Sequence, residues 1–119
     1  MQTARTASGV RCQCIVRKAV VLRNSSEATH LFRIAQEAVN NALKHGRPQS
    51  ITVRLENRAG TLRLAIEDDG VGIDTDSTAG AEHGISLMRY RARMLGGSLE
   101  IRRRRGGGVL VLCALQRKF

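Results

Sequence analysis

Apolar and polar residues follow two different periods along this chain, and the periods predict its elements. Residues 10–16, 51–56 and 62–66 alternate one by one, as half-buried strands do. Residues 27–45 and 84–95 instead repeat their apolar positions every three or four residues, as helices do. The middle of the chain therefore holds helices separated by strands.

Turn residues indicate where the helices begin and end. The side-chain oxygens of residues 24–26 are suited to cap a helix that begins near Glu27. Gly46 and Pro48 are suited to end it, with Gly46 taking the left-handed cap conformation. Two glycines at residues 96–97 close the second helix in the same way.

Two hairpins complete the predicted elements. One turns at residues 57–60, and the other joins strands at 98–103 and 109–115 through three consecutive glycines. Strands outnumber helices, and most predicted connections between sheet neighbours are hairpins. We therefore expect an α+β fold, a two-layer α/β sandwich whose mixed, mostly antiparallel sheet carries its helices on one face.

The first helix has one broad apolar side, which is predicted to face the core. At about 100° per residue, that side holds Ala28, Leu31, Phe32, Ala35, Val39, Ala42 and Leu43. Glu37, Asn41 and Lys44 fall together on the opposite side. Such a triplet is ordinarily a solvated face with a weak ion pair, so only further motifs give it a functional meaning.

The length and the net charge of the chain exclude several classes of protein. The 119 residues form a single domain, residues 1–119, and the net charge of +10 favours a polyanionic ligand. With only three aromatic residues there is no stacking platform for bases, so direct nucleic-acid binding is not expected. No apolar run is long enough to span a bilayer and no secretory signal is readable. We expect a cytoplasmic domain without membrane contact.

The three cysteines give no sign of a metal site. Cys12, Cys14 and Cys113 lack the paired Cys-x-x-Cys spacing of a zinc site. We expect them to be small buried hydrophobic residues in a reducing compartment.

An acidic pair followed by glycines offers candidate chemistry. Asp68 and Asp69 end an apolar strand, and Gly70 and Gly72 follow. Residues 74–83 are rich in small and polar residues and are predicted to form a mobile flap. The flap ends with His83 and Gly84 at the predicted start of the second helix, where free N–H groups would attract phosphate. No P-loop or Gly-x-Gly-x-x-Gly fingerprint is present.

Three motifs together resemble the GHKL ATPase superfamily of gyrases, heat-shock chaperones, histidine kinases and MutL-type repair proteins. They are Glu37-x-x-x-Asn41-x-x-Lys44-His45, Asp68-x-Gly70-x-Gly72, and a small-residue loop ending in His83-Gly84. The runs at residues 31–45 and 84–93 are similar to the ATP-binding domain of NarX/DegS-like sensor histidine kinases. The resemblance covers most of residues 27–97 and implies a Bergerat-type fold.

The resemblance implies ATP and Mg²⁺ as cofactors and assigns roles to single residues. Asp68 would accept a hydrogen bond from the adenine amine, and Gly70 and Gly72 would let the backbone approach the base. Asn41 would be the Mg²⁺ ligand and Lys44 would contact phosphate. The remaining members of the implied nucleotide-binding set are His45, His83, Gly84 and Ile85.

Glu37 is assigned the catalytic role, either as a base or as a residue that orients Mg²⁺ ligands or the incoming imidazole. His30 lies in the first turn of the first helix and is not expected to be the phosphoacceptor. We therefore expect the chain to be a domain excised from a longer, homodimeric kinase. Its partners would be a phosphoacceptor histidine domain and a response regulator.

Two other functions remain open on the sequence alone. One is a free-standing GHKL serine kinase of the anti-sigma-factor type. The other is a non-enzymatic basic module that binds through the arginines at residues 102–105. For that arginine run we favour a solvated strand edge that discourages pairing with another chain.

Overall fold

The computed structural model describes residues 2–5, 9–17, 20–71 and 79–116. Within them lie six strands, two α-helices and one π-helical turn. The strands are β1 (Gln2–Arg5), β2 (Arg11–Val16), β3 (Ser50–Arg58), β4 (Thr61–Asp68), β5 (Ser98–Arg103) and β6 (Val109–Gln116). The helices are α1 (Ser25–Asn41), which the π-helical turn Ala42–Gly46 continues, and α2 (Ala79–Met94). No helix of the described ranges is long and apolar enough to cross a membrane.

The strands form one mixed sheet in the order β1-β2-β3-β4-β6-β5. Only β2 and β3 pair in parallel, because α1 lies between them in the chain and forms the crossover. The other four pairs are antiparallel, and two of them are the predicted hairpins. The predicted α+β class and mostly antiparallel sheet are confirmed. β1 was not predicted, because its short polar sequence has no apolar alternation.

The start of α1 is confirmed, whereas its end differs from the prediction. The Asn24 side chain accepts a 2.9 Å hydrogen bond from the Glu27 amide, and the Glu27 carboxylate accepts one from the Arg23 amide at 2.7 Å. At the other end the left-handed residue is Arg47, with φ 47°, and not Gly46. Gly46 stays in the π-helical turn, where another segment packs against its carbonyl.

The core side of α1 is partly different from the predicted side. Leu31, Ile34 and Ala38 are buried, together with the polar residue Asn41, whereas Phe32 is 62% exposed. The buried side of α1 thus includes the polar residue Asn41 and leaves out Phe32. The predicted side is confirmed for Leu31 and Ala42, which are buried, and for Ala35, Val39 and Leu43, which pack against the core. It is wrong for Phe32, and it left out Asn41 because the pattern assigned every polar position to solvent.

The remaining core comes from alternate residues of the central strands. β4 contributes Leu62, Leu64 and Ile66 to the buried face, and α2 contributes Met88 and Ala92. His30 of α1 lies 3.3 Å from the guanidinium of Arg91 of α2, which links the two helices. The helices therefore cover one face of the sheet.

The second helix begins five residues before its predicted start. It starts at Ala79 rather than at Gly84, because residues 79–83 continue the helix toward the N-terminus. The flap predicted at 74–83 is therefore wrong for residues 79–83. Its remaining residues, 74–78, lie outside the described residues.

The cysteines differ in burial. Cys113 is fully buried, and this desolvation raises its pKa to about 11, so the thiol stays protonated at neutral pH. Cys12 is half-buried and packs against the core, whereas Cys14 is exposed. The expectation of burial is wrong for Cys14, which lies in β2 near one side of the sheet.

Candidate functional site

A small cavity lies between the end of α1, the start of α2 and the sheet. Its volume is about 20 Å³, close to the space of a single water molecule. Asn41, Asp68 and Ile85 line it, together with Ala38, Ala42, Gly46, Ile66, Met88, Ile101, Val109 and Val111. Three predicted site residues from three separate motifs thus meet at one apolar cavity with few polar groups.

Asp68 is the acidic residue of this cavity. It ends β4 on the buried face, where it is 6% exposed, and its carboxylate accepts a 2.9 Å hydrogen bond from the Gly70 amide. Burial raises the pKa of Asp68 above its usual 3.8, against the lowering effect of backbone hydrogen bonds from Gly70 and Val109. A buried carboxylate with free acceptor capacity is suited to read a hydrogen-bond donor on a ligand.

Gly70 lets the segment after Asp68 pack against the end of α1. A Cβ at Gly70 would overlap the carbonyl oxygen of Gly46, and the next amide, that of Val71, donates a 2.7 Å hydrogen bond to the same oxygen. The close approach therefore requires glycine at position 70. Gly72, the second predicted glycine, lies outside the described residues.

Asp69 anchors the same turn from the outside, a role the sequence did not reveal. Its carboxylate accepts hydrogen bonds from the Gln49 amide at 2.8 Å, the Ser50 amide at 2.9 Å and the Ser50 hydroxyl at 3.0 Å. These bonds, with the Ser50 amide first, lower the pKa of Asp69 from 3.8. The two adjacent carboxylates thus have different roles: that of Asp68 faces the cavity, and that of Asp69 fixes the turn to the start of β3.

Asn41 faces the cavity, although the helical pattern placed it opposite the core. It is 7% exposed, and its Nδ2 is buried with no hydrogen-bond partner among the described residues. Such a donor costs roughly 1–3 kcal/mol when left unpaired, and such exceptions in native structures often mark functional sites. The amide of Asn41 thus has a donor available to an acceptor atom in the cavity.

Glu37 and Gly84 meet beside Asn41. A Cβ at Gly84 would lie 2.8 Å from Oε2 of Glu37 and 3.2 Å from both amide atoms of Asn41. The structure therefore brings the predicted catalytic residue, the predicted metal ligand and the predicted phosphate-binding glycine together. Glu37 itself is half-buried and lies outside the cavity lining.

Gly84 does not offer the free amide that the sequence predicted. It lies well inside α2, six positions into the helix, so its N–H is committed to the helical hydrogen-bond ladder. His83 precedes it as an exposed residue of the same helix. The prediction that these residues lie at the N-terminus of the helix is wrong in this structure.

Lys44 and His45 lie on the π-helical turn after Asn41. Lys44 is exposed and His45 is half-buried, and neither lines the cavity. Because this turn is wider than an α-helical turn, the 3.6-residue spacing that aligned Lys44 with Asn41 no longer applies.

The described side chains also bear on how a metal could be held. Within the described residues, no group of three or more His, Cys, Asp or Glu side chains is arranged to hold a metal ion. Mg²⁺ commonly takes only one or two protein oxygens and completes its shell with phosphates and water. Oδ1 of Asn41 fits that requirement, because the amide is buried beside the Glu37 carboxylate.

Comparison with known sequences shows which family and which proteins this chain is similar to. The profile of histidine kinase-, DNA gyrase B- and HSP90-like ATPases matches residues 26–118. The chain is 35% identical to the nitrate/nitrite sensor protein NarX of Escherichia coli K12 over 88 residues, which are 74% of this chain and 15% of NarX. It is 40% identical to the sensor protein VraS of Staphylococcus saprophyticus over 72 residues, 60% of this chain and 21% of VraS. The chain thus spans a small part of these relatives.

A solved structure shares the fold. The histidine kinase domain of the blue-light activated histidine kinase from Erythrobacter litoralis EL346 superposes with a TM-score of 0.70 at 26% identity. The superposition covers 87% of this chain and 54% of that one. The two-layer arrangement of helices on a mixed sheet is therefore the arrangement found in that kinase domain.

The contact between Gly70 and Gly46 gives a test of the turn. Gly70→Ala should lower the free energy of unfolding by about 1–3 kcal/mol, because the new methyl overlaps backbone that cannot rotate away. Gly46→Ala is the matched control, since its Cβ would lie 3.7 Å from Asp68. Thermal unfolding should show the first variant destabilised and the second unchanged; equal melting temperatures would contradict the proposed contact.

Proposed function

The chain belongs to the histidine kinase-, DNA gyrase B- and HSP90-like ATPase family, and we propose that it is the ATP-binding catalytic domain of a sensor histidine kinase. One observation carries the proposal. Asp68 and Asn41, from motifs on different elements, line the same cavity with complementary chemistry. One offers a buried carboxylate acceptor, and the other a buried amide with an unpaired donor.

The Asp68 end of the cavity would bind the base. The exocyclic amine of adenine donates a hydrogen bond that a carboxylate accepts, whereas guanine presents a carbonyl at the corresponding position. The apolar lining from Ile66, Ile85 and Met88 would cover the ring faces. Gly70, and Gly72 beyond it, would let the backbone lie close to the base without a Cβ in the way.

The Asn41 end would hold the phosphates. The unpaired Nδ2 of Asn41 would donate to a phosphate oxygen, and Oδ1 would be available to Mg²⁺. When bound, Mg²⁺ neutralises charge on the phosphate oxygens. Lys44, exposed one turn further on, would reach phosphate as a point charge, and His45, His83 and Gly84 complete the proposed binding set.

The reaction would be transfer of the γ-phosphoryl group of ATP to a histidine. A ring nitrogen of that histidine attacks the γ-phosphorus, the bond from phosphorus to the bridging oxygen breaks, and ADP leaves. This chemistry depends on positioning and charge neutralisation more than on covalent help from the protein. Glu37, beside Asn41, is placed to orient the incoming imidazole or accept its ring proton.

A nucleotide needs more room than this cavity provides. About 20 Å³ holds one water molecule and no purine ring. The first turns of α2 cover Glu37 and Asn41 through Gly84, so movement of that helix start would open the phosphate end. Unwinding these turns would also free the Gly84 amide for phosphate.

The partners follow from the same proposal. The relatives are named as sensor proteins, and the chain corresponds to a small part of each. The histidine would come from a phosphoacceptor domain of the same kinase, a homodimer when full length. The phosphoryl group would then pass to a response regulator, and the domain would act in the cytoplasm.

Removal of the acidic side chain tests the base-binding end. Asp68→Ala should weaken ATP and ADP binding about ten- to a hundredfold, as expected for loss of a charge-assisted hydrogen bond. Isothermal titration with ATP, ADP and GTP in Mg²⁺ would measure it, and GTP should bind the unmodified chain poorly. Undiminished ATP affinity in the variant would contradict the assignment of Asp68.

Removal of the helix amide tests the phosphate end separately. Asn41→Ala should abolish the dependence of ATP affinity on Mg²⁺ while ADP remains weakly bound, because the metal loses its protein ligand. Calorimetry with and without a chelator would measure this dependence. The proposed ligand role is wrong if the chelator weakens ATP binding equally in the variant and the unmodified chain.

The pH dependence of binding follows from the raised pKa of Asp68. The carboxylate is protonated as pH falls through a value above 3.8, and the protonated form loses the negative charge that strengthens the bond to the amine. As pH falls, ADP affinity should therefore begin to decrease at a higher pH than it would with an aspartate of ordinary pKa. Asp68→Asn is the control, because its affinity follows only the titration of the ligand; parallel pH curves would contradict the prediction.

A further inference from the structure

The hairpin that joins β5 and β6 contacts the backbone where β4 ends, from Asp68 to Gly70. A Cβ at Gly108 would overlap the carbonyl oxygen of Asp68, and one at Gly107 would lie 3.1 Å from the carbonyl oxygen of Gly70. These contacts join segments about forty residues apart in the chain. The hairpin therefore forms part of the support for the residue proposed to read the base.

Arg104 makes the polar contact at this junction. Its guanidinium donates a 2.7 Å hydrogen bond to the carbonyl oxygen of Asp68 and lies 3.6 Å from the carboxylate of Glu67. One side chain thus holds the last two residues of β4 from outside the cavity. Its charge also lowers the pKa of Asp68, against the larger effect of burial and against the negative charge of the adjacent Asp69, which both raise it.

The backbone around Arg104 is held in place by the hairpin itself. The Arg104 amide donates to the Gly108 carbonyl at 3.0 Å, and the Gly107 amide donates to the Arg104 carbonyl at 3.2 Å. Gly106, Gly107 and Gly108 have φ values of 88°, 116° and 98°, which only glycine adopts without strain. This turn fixes the point from which the Arg104 side chain extends toward Asp68.

The neighbouring arginine shows that this contact is not a general property of the basic run. Arg102 forms hydrogen bonds of 2.7 and 2.9 Å with Glu100 on its own strand, and its side chain is 58% exposed. Arg104 is 38% exposed and reaches a different strand. The solvated edge expected from the sequence therefore describes Arg102, while Arg104 needs another explanation.

We propose that Arg104 is a positioning residue for base recognition: by holding the Asp68 carbonyl, it fixes the carboxylate where it meets the adenine amine. The inference rests on the proposed function, since it assumes that Asp68 binds the base. It predicts that Arg104 contributes to nucleotide affinity without touching the nucleotide. The positive charge also favours the ionised carboxylate, which accepts the stronger hydrogen bond.

The test compares Arg104→Ala with Arg102→Ala, which removes one positive charge from the same hairpin. Arg104→Ala should weaken ADP binding about tenfold, because Asp68 loses its fixed position and the favourable charge. Arg102→Ala should leave ADP affinity within about twofold, since its contacts stay within β5. Arg104→Lys should recover part of the affinity through its charge, although it lacks the guanidinium geometry.

A pH series separates positioning of Asp68 from a general loss of structure. The acid midpoint of ADP affinity should move to higher pH in Arg104→Ala, because the charge that favours ionised Asp68 is gone. Arg102→Ala should keep the midpoint of the unmodified chain. Titration of the ligand is the same for all variants and cancels in the comparison. Arg104→Lys should return the midpoint toward the original value, whereas a merely structural role would leave all midpoints equal.

The outcomes distinguish the inference from the proposed function. If the unmodified chain binds neither ATP nor ADP, the proposed function fails. If it binds both and Arg104→Ala matches Arg102→Ala in affinity and acid midpoint, only the role of Arg104 is overturned. Circular dichroism would show whether each variant folds. Should Arg104→Ala fail to fold, Arg104→Gln, which removes the charge, is compared with Arg104→Lys, which keeps it. Equal acid midpoints of ADP affinity in these two variants would overturn the inference.

Discussion

The fold depends on the close packing of three backbone segments around one buried carboxylate, that of Asp68. The end of α1 contacts the turn after Asp68 through Gly46 and Gly70, and the β5–β6 hairpin contacts the Asp68 carbonyl through Gly108. At Gly70 and Gly108 a side chain would overlap backbone atoms, so the approach is possible only without a Cβ. The carboxylate is thereby held at the meeting point of helix, sheet and hairpin.

The acidic pair shows how stability and binding oppose each other at this point. The raised pKa of Asp68 means that its contribution to the free energy of unfolding is fully present below pH 3.8 and is lost as pH rises through the raised value. Asp69 acts in the opposite sense, since its lowered pKa gives stability above pH 3.8 that is lost as pH falls through the lowered value. At neutral pH the buried charge of Asp68 therefore lowers the stability, whereas the hydrogen-bonded charge of Asp69 raises it.

The small cavity and the unpaired amide of Asn41 lie together where α2 packs against the end of α1. Gly84 of α2 lies close to Glu37 and Asn41, and the cavity that Asn41 and Asp68 line has a volume of about 20 Å³. A bound nucleotide would satisfy the donor of Asn41 and replace the contact with Gly84. Binding would thus favour a state with a shorter α2, since a ligand shifts a conformational equilibrium by its difference in affinity for the two states.

The sequence by itself determined strands β2 to β6, the presence of both helices, the cap at Asn24 and the motifs that identify Asp68, Gly70 and Asn41. These features depend on local periodicity and on turn residues, and both can be read from a short segment of the sequence. Only the tertiary structure decided that Asn41 is buried beside the core side of α1, because a buried polar residue has the same local pattern as one in water. It also decided that Arg104 reaches Asp68, since that contact depends on how distant strands pair and on three glycines with positive φ, neither of which local periodicity records.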